Sequence, residues 1–301
     1  MLNDIIECNK QLSKYPDIIP MLHQLENFIP FDSRDNFYTN LIDLKIEKTP
    51  GNSYYKVREN VMGIRNNFSY NVTASENEKI QDIRLKQHLF HELMHMSSTR
   101  IDRTNGAAHC GFSVSYPINN IFLINNNYLN EGFTELFTEL YYPRYNLDYA
   151  YFDFTNIASI LTILLGMDDI KEAYFTGTSA SYLKNRLSSF TNNTNVDILF
   201  YNVEASGNKN ESKSSSIDDL LRESLFDIIY DGINSFIDKG VFNSYDEGIS
   251  FFYSSIDPLI RNLISMVKDN TPYKATMREN LIYSYRDYED KIIKKIKVLK
   301  K

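Results

Sequence analysis

The chain has 301 residues, of which 43% are hydrophobic and 24% charged, and its formal net charge is −7. This composition is typical of a folded protein with a substantial core, and the negative charge argues against a non-specific nucleic-acid binder. Cys8 and Cys110, the only cysteines, exclude a disulfide framework and a cysteine-rich structural metal site.

The N-terminus shows no targeting segment. Met1–Asp4 has neither the basic residues nor the apolar run of a signal peptide. The most apolar stretch, Ile157–Met167, is interrupted by Ser159 and Thr162 and is too short to span a membrane. We therefore expect a cytoplasmic protein without a membrane span, and the sequence carries no signal for an oligomeric state.

The first 75 residues predict helices followed by a small sheet. Helical spacing of apolar residues is broken by Pro16 and Pro20, and residues 41–46 alternate as in a strand. A turn at 50–53 precedes further extended segments. The remaining strand candidates are Tyr54–Val57, Val61–Ile64 and Phe68–Val72. An edge strand of such a sheet could hold an extended peptide by backbone hydrogen bonds.

A helix predicted from about Ser75 to Ser98 carries the motif H-E-x-x-H at His91, Glu92 and His95. Residues four apart lie on one helix face, so the two imidazoles can bind one ion, and imidazole nitrogens suit Zn²⁺. Glu92 can reach a water on the metal without being a ligand, as a general base must. The alternative is a helix that carries these three residues by chance.

Between this helix and the next lies an insert, residues 99–127. Asn105-Gly106 predicts a turn. Residues 112–116 and 121–124 are typical of two short strands. We expect a hairpin that leans over the cleft.

A second helix is predicted over residues 129–140, with apolar residues on one side and Glu131 and Glu135 on the other. Glu131 can complete a His-His-Glu ligand set with His91 and His95. Glu135, one turn later, can accept the free ring N–H of a ligand histidine and so fix its tautomer. A solvated helix face is the alternative for this acidic stripe.

These motifs resemble those of the gluzincin metallopeptidases, the thermolysin-like clan. Their second motif has the form N-E-x-x-S-D, whereas this chain has Asn130-Glu131-x-x-Thr134-Glu135 and a longer insert before it. The chain also looks like small bacterial zincins that read H-E-L-x-H-M followed by N-E-G-[YF]-T-E. The resemblance implies zinc on His91, His95 and Glu131, with Glu92 as catalytic base and Glu135 orienting a histidine.

The resemblance also implies a tyrosine or histidine that stabilises the tetrahedral intermediate. The segment after Tyr141 is rich in tyrosine, and Tyr142 shares the glutamate face of the second helix. We assign this role to Tyr142, with other tyrosines up to Tyr182 as alternatives.

The remainder of the chain predicts helices. A polar stretch, Val203–Ser216, is the best internal break, and Pro258 predicts a kink or break. The predicted helices are Thr155–Leu165, Asp168–Phe175, Ala180–Phe190, Ser216–Lys239 ended by Gly240, one capped by Ser244, and a last one from Thr271-Pro272.

The sequence therefore predicts an α+β protein. Residues 1–150 form a zincin-like catalytic region with a small sheet and the H-E-x-x-H helix, and residues 151–301 form a mainly helical C-terminal region. The predicted function is a zinc-dependent metallopeptidase that cleaves a peptide or protein substrate through a metal-bound water. The alternatives are a metal-binding regulatory or scaffold protein that is not a peptidase, and a helical interaction module without metal.

Overall fold

A computed structural model of the protein describes residues 1–66, 76–119, 121–142, 152–176, 179–189, 191–208, 214–265, 286–287 and 289–298. The fold is α+β, with many helices and two small sheets. In chain order the elements are α1 (Leu2–Cys8), α2 (Ile19–Phe28), α3 (Arg34–Ile42), β1 (Lys45–Thr49), β2 (Tyr54–Lys56), β3 (Val61–Arg65), α4 (Glu76–Ser98), β4 (Thr99–Ile101), β5 (Ala108–Cys110), β6 (Ser113–Ile118), β7 (Ile121–Asn125), α5 (Asn127–Glu139), α6 (Phe152–Leu165), α7 (Met167–Thr176), α8 (Ser179–Leu187), α9 (Asn193–Gly207), α10 (Ser214–Asp238), α11 (Tyr245–Phe251) and α12 (Asp257–Ser265).

The chain divides into two compact units. The first contains Met1–Tyr151 and Asp168–Ala180, and the second contains Phe152–Met167 and Ser181–Lys301. Most of α7, predicted to lie in the C-terminal region, thus packs within the first unit. The H-E-x-x-H helix α4 and the glutamate-bearing helix α5 both belong to this first unit.

The first sheet has three strands in the order β1-β3-β2, with β2 antiparallel to β3 and β1 parallel to it. The predictions for β2 and β3 are confirmed. The prediction of a strand at residues 41–46 is only partly confirmed, because Leu41 and Ile42 end α3 and the strand β1 begins at Lys45. Phe37 and Leu41 are both buried at helical spacing, so the helical period outweighs the short alternation. The strand candidate Phe68–Val72 lies outside the described residues.

The second sheet is an antiparallel meander, β4-β5-β6-β7. The predicted pair of strands is confirmed as β6 and β7, while its position over the cleft stays a prediction. The strands β4 and β5 were missed. Each is only three residues long, too short for an alternating pattern to stand out. β5 packs against α4, and β6 packs against α5, so this sheet contacts both motif helices.

An aromatic core in the first unit packs against one side of α5. The rings of Phe133 and Phe112 lie 4.7 Å apart, and those of Phe137 and Tyr174 lie 5.1 Å apart. All four side chains are fully buried, and aromatic rings in such edge-to-face pairs contribute strongly to a core. Because Phe133 and Phe137 occupy the core side of α5, its glutamates are on the other side.

The second unit consists of packed helices, in which α9 lies against α10 and α12 against α6. The predicted end of α10 before Gly240 and the predicted start of α11 after Ser244 are confirmed. Gly240 has φ +67°, and the Ser244 hydroxyl accepts the Glu247 N–H. The predicted break at 203–216 is partly wrong, because α9 continues to Gly207 with Val203 buried. The predicted start at Thr271-Pro272 lies outside the described residues.

No helix among the described residues combines the length and the apolarity needed to cross a membrane.

Candidate metal centre

His91, His95 and Glu131 converge on one point between α4 and α5. The Nε2 atoms of His91 and His95 lie 3.1 Å apart. Glu131 Oε2 lies 3.1 Å from His91 Nε2, and Glu131 Oε1 lies 3.5 Å from His95 Nε2. All three side chains are at least 86% removed from solvent. The structure thus brings together the three residues predicted as ligands.

These distances fit a divalent cation. In a tetrahedral zinc site with bonds of about 2.0–2.1 Å, neighbouring ligand atoms are separated by about 3.3–3.4 Å. The three separations, which involve both oxygens of Glu131, lie near that value, and with one atom taken from each residue the three atoms lie within 4.8 Å of one another. The donors, two imidazole nitrogens and a carboxylate, are a common zinc set. The same donors also accept other first-row metals, so the geometry supports a divalent cation without selecting zinc.

The ring of His91 is held from both sides by carboxylates of α5. Its Nδ1 donates to Glu135 Oε2 at 2.9 Å, while its Nε2 faces Glu131. Glu135 Oε1 in turn accepts a hydrogen bond from Gln87 Nε2 at 3.1 Å. With its proton on Nδ1, a neutral His91 directs the Nε2 lone pair at the oxygen of Glu131, and a cation between the two relieves the repulsion.

The pKa values of the cluster reflect the same electrostatics. Burial by itself lowers the pKa of His91, but the hydrogen bonds to Glu131 and Glu135 raise it to about 9. Burial favours a neutral Glu131, yet the imidazoles of His95 and His91 hold the pKa of that carboxyl well below its usual range. Protons therefore occupy the cluster when a metal does not, and the two compete.

Glu92 lies beside this cluster without being part of it. Burial raises the pKa of Glu92, and the nearby imidazoles of His95 and His91 partly oppose this. The carboxylate accepts a hydrogen bond from the backbone N–H of Tyr55, in the edge strand β2. A carboxylate with a raised pKa next to a candidate metal site and a strand edge has the properties of a general base.

Tyr142, the tyrosine assigned to stabilise the tetrahedral intermediate, contacts Gln24 and Phe90. Its hydroxyl donates to Gln24 at 3.2 Å, and its ring lies 5.2 Å from that of Phe90. Its role as the donor that stabilises a developing oxyanion stays a prediction.

Three residues at the site were not found by sequence reasoning. Gln87, Tyr55 and Cys110 contact Glu135, Glu92 and His95 respectively. Gln87 precedes His91 by one helical turn, so helical spacing could have predicted that both lie on the same face of α4. Tyr55 and Cys110 come from separate strands, and nothing in their local sequence indicates the contact.

Comparison of the chain with protein-family models, curated proteins and solved structures found no significant match.

Proposed function

We propose that this protein is a zinc-dependent metallopeptidase with a zincin-like catalytic unit of the gluzincin type. The observation that supports the proposal is the convergence of His91, His95 and Glu131, whose ligand atoms lie within 4.8 Å of one another, with Glu92 adjacent. When bound, zinc would polarise a peptide carbonyl and lower the pKa of a water to about 7.

The residues around the cluster have distinct roles in this proposal. Glu92 takes the proton of the attacking water and passes it to the leaving amine. Its raised pKa is closer to neutral pH than that of a free carboxyl group, which favours both the uptake of the proton from water and its release to the amine. Glu135 holds the His91 ring in the tautomer that keeps Nε2 free for the metal.

The edge strand β2 supports a peptide as the substrate. β2 pairs with β3 on one side, and its Tyr55 N–H points to Glu92. An extended peptide that adds to such an edge is held by backbone hydrogen bonds, independently of its sequence. A peptide bound in this way would have its backbone, rather than a side chain, next to the proposed base.

Glu92→Gln tests the proposal because it keeps the side-chain volume and removes the base. We expect purified protein to contain about one zinc per chain, and Glu92→Gln to retain that zinc while peptide cleavage falls by at least about 100-fold. Glu7→Gln, at an exposed position on α1, is the matched control. Full cleavage by Glu92→Gln, measured with a mixture of quenched fluorescent peptides, would contradict the assignment.

Burial of the ligands favours a second candidate, a structural metal site. The side chains of His91, His95 and Glu131 are only 9–14% exposed, which limits the access of a substrate to an ion held between them. Such a site predicts that removing zinc with a chelator unfolds the first unit, and that neither the wild type nor any variant cleaves peptides. If the first unit stays folded without metal and regains peptidase activity when zinc is added, the site is catalytic rather than structural.

A further inference from the structure

The thiol of Cys110 lies against the second ligand histidine, on the side away from the candidate metal position. Cys110 Sγ is 3.4 Å from His95 Nδ1 and 3.5 Å from the His95 carbonyl oxygen. Cys110 is the last residue of β5 and is 6% exposed. Its sulfur thus contacts both the ring and the backbone of a residue 15 positions earlier in the chain.

The proposed metal site determines which proton His95 must carry. Its Nε2 faces His91 and Glu131, so a neutral ring that binds metal there has its hydrogen on Nδ1. That N–H is buried, and a buried donor needs an acceptor.

The side chain of Asn130 also lies near Nδ1 but does not supply this acceptor. Asn130 Oδ1 accepts the backbone N–H of Phe112 at 2.9 Å. This bond orients the amide so that its nitrogen, at 3.4 Å, faces His95 Nδ1. An amide nitrogen offers only hydrogens. Turning the amide over would place its nitrogen against the N–H of Phe112 instead.

As a neutral thiol, Cys110 can act both as a hydrogen-bond acceptor and as a hydrogen-bond donor toward His95. It accepts from His95 Nδ1–H, and its own hydrogen points to the His95 carbonyl oxygen. The Ser98 and Thr99 hydroxyls donate to the same carbonyl at 3.2 Å and 2.8 Å. The end of α4 that carries His95 is therefore held by side chains that follow it in the sequence.

The turn after Cys110 is shaped for this close approach. Gly111 has φ +54°, and a Cβ there would lie 2.2 Å from Asn130 Oδ1 and 2.3 Å from a ring carbon of Tyr174. Only glycine fits a position with both a left-handed backbone and no free space. Cys110 and Asn130 consequently reach His95 together, from β5 and from α5.

We propose that Cys110 is a positioning residue of the metal centre, whose sulfur accepts the His95 Nδ1–H and fixes the tautomer and orientation of that ligand. This inference rests on the proposed metal site. It assigns to a thiol from the inserted sheet the part that Glu135 plays for His91.

Substitutions at Cys110 separate hydrogen bonding from packing. Serine keeps an acceptor and a donor, alanine removes both, and valine fills the space without either. The probe is zinc alone, with affinity measured by competition with a chromogenic chelator. We expect Cys110→Ala and Cys110→Val to weaken zinc binding by about 10-fold or more, and Cys110→Ser to stay close to wild type. Cys8→Ser, at the exposed cysteine, is the control.

A second measurement detects the hydrogen bond itself. Nitrogen-15 spectra of the zinc-loaded protein should show a His95 Nδ1–H that exchanges slowly with water in wild type and in Cys110→Ser, and faster in Cys110→Ala and Cys110→Val. Thermal unfolding of the metal-free variants shows whether each is folded. Should valine preserve the affinity and the slow exchange while serine loses them, Cys110 acts by packing and the inference is overturned.

The same experiments keep this inference apart from the proposed function. If wild-type protein binds no zinc, the proposed metal site fails. If wild type binds zinc and all Cys110 variants bind it equally, only the role of Cys110 fails. Zinc affinity and exchange of the His95 imidazole N–H are both independent of whether a peptide is cleaved.

Discussion

His91 Nδ1 lies 2.9 Å from Glu135 Oε2, while Nε2 of the same ring lies 3.1 Å from Glu131 Oε2. Two carboxylates one turn apart on α5 therefore hold one imidazole of α4, each by a different nitrogen. If a metal ion binds between His91 Nε2 and Glu131, as we propose, Glu135 remains at the other ring nitrogen, where it can orient the ring.

Glu135→Ala should weaken zinc binding without abolishing it. The substitution removes the acceptor of the His91 Nδ1–H, and loss of such an outer partner typically lowers metal affinity about 10–100-fold. Glu135→Gln retains an oxygen that can accept this hydrogen bond, so its loss should be smaller. Competition with a chelator gives both values, with Glu172→Ala at an exposed position of α7 as control. Equal affinities for Glu135→Ala and wild type would show that Glu135 does not orient the ring.

The metal-free protein should lose stability as the pH rises from about 6.5 to about 9. The pKa of His91 is raised to about 9 in the folded state, against about 6.5 in an unfolded chain. Protonated His91 therefore stabilises the fold fully below pH 6.5, and this contribution, about 3 kcal/mol, disappears as the pH passes 9. The measurement is the thermal unfolding midpoint at several pH values, compared with His91→Gln.

Zinc-loaded protein supplies the control for that pH series. A ligand imidazole is neutral, so the unfolding midpoint of zinc-loaded wild type should not show the fall between about pH 6.5 and about pH 9 that metal-free wild type shows. Parallel midpoint curves for metal-free wild type and His91→Gln would contradict the raised pKa.

Glu92→Gln should stabilise the metal-free protein at neutral pH. Burial raises the pKa of Glu92, so the folded state disfavours the ionised carboxylate. The favourable contribution of this group is complete below its unfolded pKa and is lost as the pH rises through the folded value. The unfolding midpoint of Glu92→Gln should exceed that of wild type near pH 7, and the gap should close in acid. A lower midpoint for Glu92→Gln near pH 7 would mean that the carboxylate stabilises the fold.

Gly111→Ala should be more destabilising than Gly240→Ala, although both glycines have a positive φ. Its Cβ would overlap Asn130 and Tyr174, so the cost combines backbone strain with overpacking, about 2–5 kcal/mol in total. Gly240 has φ +67° with nothing within 4 Å of a built Cβ, so Gly240→Ala should cost only about 1–2 kcal/mol. Denaturant unfolding measures both. We also expect weaker zinc binding in Gly111→Ala alone, because Asn130 adjoins Glu131. If the two substitutions lower the free energy of unfolding equally, the side chains of Asn130 and Tyr174 move aside for the added Cβ at little energetic cost.

Local patterns in the sequence were enough to place the main parts of the site. The spacing of His91 and His95 puts both rings on one face of a helix, and the apolar stripe of α5 puts Glu131 and Glu135 opposite its core side. These are consequences of helix geometry, which residues close in the chain control. The C-terminal end of α10 at Gly240 and the N-terminal end of α11 at Ser244 were also predicted from residues close in the chain.

Contacts between distant segments supplied the rest. α4 and α5 face each other across His91 and Glu135, which are 44 residues apart in the chain, while the other side of α5 packs against Tyr174 from α7. Cys110 and Tyr55 reach the site from strands whose short sequences carry no periodic signal. At Leu41 the local alternation was misleading, because burial of one helical face against the core outweighs it. Periodicity shows which side of an element is apolar, but the partner of that side depends on how the whole chain fills its interior.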